Sequence, residues 1–369
     1  MNNLHAYLQL YPILFSFFFI SSCNSQDSTL QSHNAPIQAI KKDTQESPQG
    51  FIDPYEDLNV DAQMMLVLRR VFQDKSGNHW FVGDDVFCYD GDTLLKISEH
   101  EIFSKTTIRQ IAEDQEGSIW FGTSEGLIKY EPSPEYPIGS GSFTKYTEED
   151  GLVYNDIWSL AIDQKGIIWV GTLEGLSQFD GTAFTLFSLP ESERDPLRGV
   201  SSRKIVHSIM EDSKGKMWFG TNGGAYIYDG KTLSNISEED GLCHNSVNDI
   251  LEDKNGNIWF ATHHNGVCRW DGSSFSLIDE EQELKGTEVW SLYEDQSGNI
   301  WFPVENAGVY RYDGTTLSNF HKKDGFQMNG VHSIIEDKKG QLWFGGFGGL
   351  YRYDGTSFIN VTKDGPWLN

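Results

Sequence analysis

Between Leu58 and Asn369 the chain writes one frame seven times. The stretch "EDKNGNIWFATHHNGVCRWDG", Glu252 to Gly272, returns as "EDQSGNIWFPVENAGVYRYDG" from Glu294. Further copies start at Gln73, Glu113, Ile162, Glu211 and Glu336. Their marker tryptophans, Trp80, Trp120, Trp169, Trp218, Trp259, Trp301 and Trp343, are spaced 40, 49, 49, 41, 42 and 42 residues apart. Such a period means that one supersecondary unit is copied and that each copy needs its neighbours to bury its faces.

Each copy reads as four short strands. In "VHSIIED", Val331 to Asp337, apolar residues alternate with small or polar ones, the period of a strand. A D-x-x-G turn leads to the aromatic strand "QLWFG", and a Gly-rich turn leads on to "LYRY". Asp354-Gly355 then signals a hairpin, because a type I′ turn needs positive φ, and "SFINVT" closes the unit. No window carries a 3.6-residue period, so helices are expected to be few. Radial stacking of such sheets leaves only short protected edges. The expected fold is all-β, a seven-bladed β-propeller of four-stranded antiparallel blades over residues 58–369. An open solenoid fits less well, since the terminal copies show no atypical capping pattern. The seven tryptophans are expected to pack between blades. The frame aspartates are expected to stabilise their own turns, since a calcium loop needs several oxygen ligands at alternate positions.

The chain carries a net charge of -26, which argues against nucleic-acid binding. Its first residues differ from the rest. "LQLYPILFSFFFISSC" is an apolar run that ends in small residues and Cys23, the pattern of a signal peptide with a lipobox over residues 1–23. Residues 24–57, rich in Ser, Gln, Asn and Asp, read as a flexible tether. The protein is therefore expected to be exported and lipid-anchored through Cys23 in a bacterial envelope, at the outer membrane, touching the membrane only through that lipid. Beyond Cys23 the cysteines are Cys88, Cys243 and Cys268. Three thiols make no disulfide framework, and Cys88 and Cys268 fall on third strands, where small buried thiols are expected. No P-loop, G-x-S-x-G, H-E-x-x-H or kinase motif occurs. No cofactor and no metal ligand set are expected.

The frame E-D-x-x-G-x-I-W-F-G-T-x-x-G-L-x-x-Y-D-G resembles the two-component regulator propeller repeat. The resemblance runs from about residue 58 to the end. It implies a propeller of the kind that forms the periplasmic sensor part of hybrid two-component systems, many of which sense oligosaccharides. This chain departs from that architecture: it has one propeller's worth of repeats and no β-sandwich, kinase or DNA-binding segment. Signalling would need a separate membrane or signalling partner.

Strand direction reverses at each turn, so the uniform D-x-x-G and D-G turns share one face, here face two. The variable second-to-third turns and the links between units share face one, where function is expected, since functional residues favour loops on a rigid scaffold. Five residues before each frame Asp stands Arg69, Arg109, Trp158, His207, Asn248, Trp290 or His332, while the preceding position is apolar in every copy. This column predicts a ring of polar and aromatic groups near the axis. The second-to-third turns add His263, His264 and Phe347, with Glu125, Glu174, Glu305 and Asn306, and the links add Asn155 and Asn245. Arg suits carboxylates, and Trp faces stack on sugars or other flat groups. The expectation is a non-enzymatic binding module for a glycan or small molecule. Two alternatives are kept. One is a metal-dependent, lyase-like enzyme using residues such as His263, His264, His207, His332, Glu125 and Glu305. The other is a protein-interaction scaffold using the insertion that follows Ala183.

Overall fold

The computed structural model describes residues 59, 61–133, 138–200, 202–278, 284, 286–328 and 330–367. The leader, Cys23 and the tether to residue 57 lie outside the described residues. Pro54–Pro196 with Ser201–Asn369 form one compact unit, and the exposed turn Leu197–Val200 falls outside it. The compact unit is a seven-bladed β-propeller. Each blade is a four-stranded antiparallel sheet whose strands lie in chain order. Blade five shows the plan: Val247–Glu252, Ile258–Thr262, Val267–Trp270 and Phe275–Ile278. The only helices among the described residues are single 3-10 turns.

The repeated frame has a specific mechanical meaning. Each frame Asp accepts a bond at Oδ1 from the backbone N–H four residues on, which closes the D-x-x-G turn. The glycine of that turn sits at φ between 76° and 96°, a left-handed conformation that a side chain would strain. The same Asp accepts at Oδ2 from the indole N–H of the tryptophan six residues on, at 2.7–3.0 Å in all seven blades. The expectation that each Asp serves its own turn therefore holds, and the second oxygen also supplies a partner for a buried N–H that would otherwise be costly.

The glutamate before that Asp joins blades. Its carboxylate accepts from the backbone N–H of the residue after the frame Asp in the preceding blade. The pairs are Glu113 with Lys75, Glu211 with Gln164, Glu252 with Ser213, Glu294 with Lys254 and Glu336 with Gln296. Gln73 does the same for Lys338, so the seam between blades seven and one carries this clasp too. Blade three has Ile162 at this position. There Gln115 Nε2 donates to the Gln164 carbonyl instead.

The core is divided among the seven interfaces, with one apolar cluster between each pair of neighbouring blades. Each marker tryptophan points into the next blade. Trp80 lies edge-on to Phe121, Trp218 meets Phe260, and Trp343 meets Phe81 to close the ring. The packing role expected of the seven tryptophans is thus what the structure shows. Among the described residues, blades one and seven are each built from four consecutive strands. Ser333 Oγ accepts from Val71 N–H, Gly348 N–H donates to the Leu66 carbonyl, and Trp367 stacks on Tyr89.

One cysteine expectation is corrected. Cys243 and Cys268 form a disulfide, with their Cα atoms 5.9 Å apart, so Cys268 is not a buried thiol. Counting thiols missed it because the pair joins a link on face one to a third strand and needs no wider framework. Cys88 is free and buried, as expected.

Candidate functional site

The varied column owes its freedom to a local backbone feature. In blades one, two, three, five and seven the ladder between the first and second strands shifts register by one residue, and that residue is Arg69, Arg109, Trp158, Asn248 or His332. A β-bulge leaves its extra residue unpaired and re-aims its side chain. The flanking apolar residues still pack: Leu68, Ile108, Ile157, Val247 and Val331 are all buried. In blade four His207 stands just before the first strand, and in blade six Trp290 follows an isolated bridge at Val289.

Most of the expected residues meet in a belt on face one. The Arg109 guanidinium lies 4.9 Å from the Trp158 ring. Asp156 holds both, pairing with Arg109 and accepting from Trp158 Nε1 at 3.1 Å. Trp158 is edge-on to His207, whose Nε2 is 2.9 Å from Asn222 Oδ1. Ser246 Oγ donates within 3.1 Å of both Asn222 Oδ1 and Asp195 Oδ2, and Asp195 Oδ2 lies 2.7 Å from His264 Nε2. The rings then run from His264 to His263, Trp290, His332 and Phe347 at centroid separations of 4.5, 5.7, 6.3 and 4.8 Å. Adjacent histidines on a strand point apart, but this pair sits in a turn and stays together.

Electrostatics divide the belt. Burial, reinforced by the nearby Arg69 and Arg70 charges, pulls His332 down to about 3, so its ring is neutral at physiological pH. Below it Arg70 is tied to the His332 carbonyl at 2.6 Å and to Gln110 Oε1 at 2.9 Å. Asp249 is raised to about 6 by burial, although the Leu292 N–H and Arg70 pull the other way. On the blade five and six side, burial and the neighbouring Glu288 carboxyl raise Glu305 to about 7. Glu288 Oε1 lies 2.9 Å from His263 Nδ1, and Trp290 Nε1 points at Glu305 Oε2 from 3.4 Å.

Some expected residues serve the scaffold. The buried Asn248 amide donates to the Val289 carbonyl at 2.7 Å and straps blade five to blade six. Asn155 and Asn245 brace their own links by reciprocal bonds with Glu148 and Glu238. Residues that the sequence did not single out are Asp156, Asp195, Asn222, Ser246 and Glu288. Asp195 lies in the insertion after Ala183, which one alternative reading assigned to protein interaction. Its carboxylate instead reaches His264 on face one. The unusual 49-residue spacing from Trp169 to Trp218 was the available signal. At face two a shallow depression is lined by Phe72, Gln73, Lys75, Glu113 and Lys338. Its polar groups are already engaged in the clasp, so the candidate site is placed on face one.

A closed ring of seven blades, uniform on one face and varied on the other, defines a seven-bladed β-propeller built from one repeated unit. The family model for the two component regulator propeller matches six segments, residues 102–125, 151–174, 199–223, 241–264, 283–302 and 325–348. These six segments, one in each of blades two to seven, are two component regulator propeller repeats. The extracellular domain assigned to a hybrid two component system of B. thetaiotaomicron is 20% identical and superposes with a TM-score of 0.63 over 80% of this chain and 41% of that one. This chain therefore spans well under half of that domain. Virginiamycin B lyase from Staphylococcus aureus is 13% identical, covering 79% of this chain and 95% of that one, with a TM-score of 0.60. PorZ, a surface component of the type-IX secretion system of Porphyromonas gingivalis, is 16% identical, covering 80% and 47%, with a TM-score of 0.60. At these identities the likenesses show the fold alone. Comparison with curated protein sequences gave no match.

Proposed function

We propose that this protein is a non-enzymatic, sensor-type binding propeller that takes a glycan or another small molecule on face one. The observation that carries this reading is the belt itself. Bulges in five blades take one residue per strand out of the ladder, and three of these, Arg109, Trp158 and His332, join Trp290, Phe347 and the turn histidines in an aromatic and charged belt. Trp158 and Trp290 are half-buried and held by carboxylates, which suits them to stacking without a large ordering cost. A glycan and metabolite screen tests the reading. Trp158→Ala or Trp290→Ala should weaken binding by roughly 1–3 kcal/mol while the fold survives. If folded wild type binds nothing in the screen, or if both variants bind as well as wild type, the reading fails.

The reading extends to location. The protein is exported, is anchored by lipid on Cys23, and passes occupancy to a separate signalling or uptake partner. The Cys243–Cys268 disulfide supports an oxidising compartment. Cys23→Ser should move the protein from the membrane fraction to the soluble one. A wild type that is already soluble would remove the anchor from the proposal. A second reading, a lyase-like enzyme, is favoured by Glu305 lying beside Glu288 and near His263, a candidate base raised toward neutrality. Turnover abolished by Glu305→Gln or by a chelator would select it over the binding module.

A further inference from the structure

The insertion between blades three and four brings a carboxylate to two histidines that are far from it in sequence. The Asp195 side chain is only 6% exposed, and its Oδ2 lies 2.7 Å from His264 Nε2. His263 and His264 follow one another in the second-to-third turn of blade five, with ring centroids 4.5 Å apart. One donor atom from each of Asp195, His263 and His264 lies within 4.8 Å of the other two. Donors on one tetrahedral ion stand roughly 3.3 Å apart, given metal–ligand bonds near 2.0–2.1 Å. Small side-chain rotations close that gap.

The surroundings are those of metal ligands. Glu288 Oε1 sits 2.9 Å from His263 Nδ1, a carboxylate set behind a histidine as is common around metal ligands. Ser246 supports two of the three residues: its hydroxyl donates to Asp195, and its carbonyl accepts from the His263 N–H at 3.0 Å. The link that carries Ser246 is pinned by the Cys243–Cys268 disulfide. A second feature of that link, the His244 ring, lies 4.6 Å from the His264 ring and limits its rotation.

We propose that Asp195, His263 and His264 bind one divalent transition-metal ion of the zinc class. Two imidazoles and a single carboxylate select zinc, cobalt or nickel over calcium and magnesium, which take mainly oxygen ligands. Three protein ligands leave a fourth position for water or for a ligand donor atom. The site rests on its own geometry and does not depend on the binding function proposed for the belt.

The test uses the full chain, free of any histidine tag and stripped with chelator. Cobalt(II) is titrated and followed by visible absorbance, and zinc(II) is then used to displace it. The expected result is about one ion per chain in a four-coordinate spectrum, unaffected by excess calcium or magnesium. His264→Ala and Asp195→Ala should each weaken binding at least about tenfold, and Glu288→Gln, which leaves all three ligands in place, should weaken it by less. His321→Ala, which removes a partly exposed histidine in the blade six to seven link, should change nothing. Circular dichroism in chelator verifies that each variant is folded, and Glu288→Gln carries the test if the ligand variants are not. Absence of cobalt binding by wild type would show that the cluster is an ion pair only and would overturn the proposal. Unchanged affinity in the folded variants would also overturn it.

Discussion

The bond between the frame Asp and its tryptophan is open to a double-mutant cycle, and blade five is the best place for it. Asp253 accepts four bonds: from the Asn255 and Asn257 N–H groups, from Asn257 Nδ2, and from Trp259 Nε1. Asp253→Ala removes all four. The turn N–H groups can turn to water, so each of those bonds is worth about 0.5–1.5 kcal/mol. Trp259 is 2% exposed, so its N–H is left without a partner at a cost of about 1–3 kcal/mol. The total loss should be roughly 2.5–7.5 kcal/mol, large for a single substitution. Trp259→Phe removes the same bond from the other side and leaves a partly filled space, which costs about 2 kcal/mol. In the double variant no indole N–H remains to be stranded, so its loss should fall short of the sum by about 1–2 kcal/mol. Urea unfolding followed by far-ultraviolet circular dichroism reads all four proteins without depending on tryptophan fluorescence. Asp271→Ala, in an exposed D-G turn on the same face, is the control and should lose much less. Additivity of the two frame substitutions within about 0.5 kcal/mol would refute the account of the Asp–Trp spacing.

Ring closure rests on the cluster that joins blades seven and one, so deleting residues 330–369 exposes two apolar faces and should yield aggregated or unfolded protein by size-exclusion chromatography. Acid should loosen the same seam. Burial pushes Asp337 up, but bonds from His79 and Trp343 outweigh it and hold the carboxyl at about 2, below its ordinary 3.8. A depressed carboxyl contributes stability above pH 3.8 that is lost as pH falls toward 2, so Asp337→Asn should flatten the stability profile in that window. Reducing the Cys243–Cys268 disulfide, which closes a loop of 25 residues, should lower stability by about 2–4 kcal/mol in denaturant titrations. Cys268→Ala should then be insensitive to reductant.

The architecture was legible because the frame repeats. Seven copies of one alternating pattern specify the blade, and the D-x-x-G spacing specifies its turn. What the spacing alone did not reveal was the Asp–Trp bond, because Asp and Trp were each assigned a sufficient role separately. The glutamate clasp was invisible for a different reason: Glu252 meets Ser213, 39 residues earlier, and a contact between blades leaves no local pattern. The belt was legible as variation in one column, yet its cause was not, since a bulge is a property of strand pairing. Asp195 escaped because it contacts His264 across 69 residues. The long spacing marked the insertion without showing which way it folds.

The first strand of each blade answers to two different demands at its two ends. At face two the frame Asp must close its turn and hold the indole at the same time and is kept in all seven blades, whereas the residue before it joins blades and admits Gln73 and, with Gln115 bridging instead, Ile162. At face one the bulge takes a residue out of the ladder while the apolar neighbour before it keeps packing. A side chain there can be arginine, tryptophan or histidine at little cost to the sheet, provided that its polar atoms find partners. The structure supplies those partners from the links and turns, as Asp156 does for Arg109 and Trp158. This arrangement separates the varied face from the residues that hold the scaffold together. Substitutions in the belt should change what the face can hold and leave unfolding nearly untouched, whereas substitutions in the frame should do the reverse.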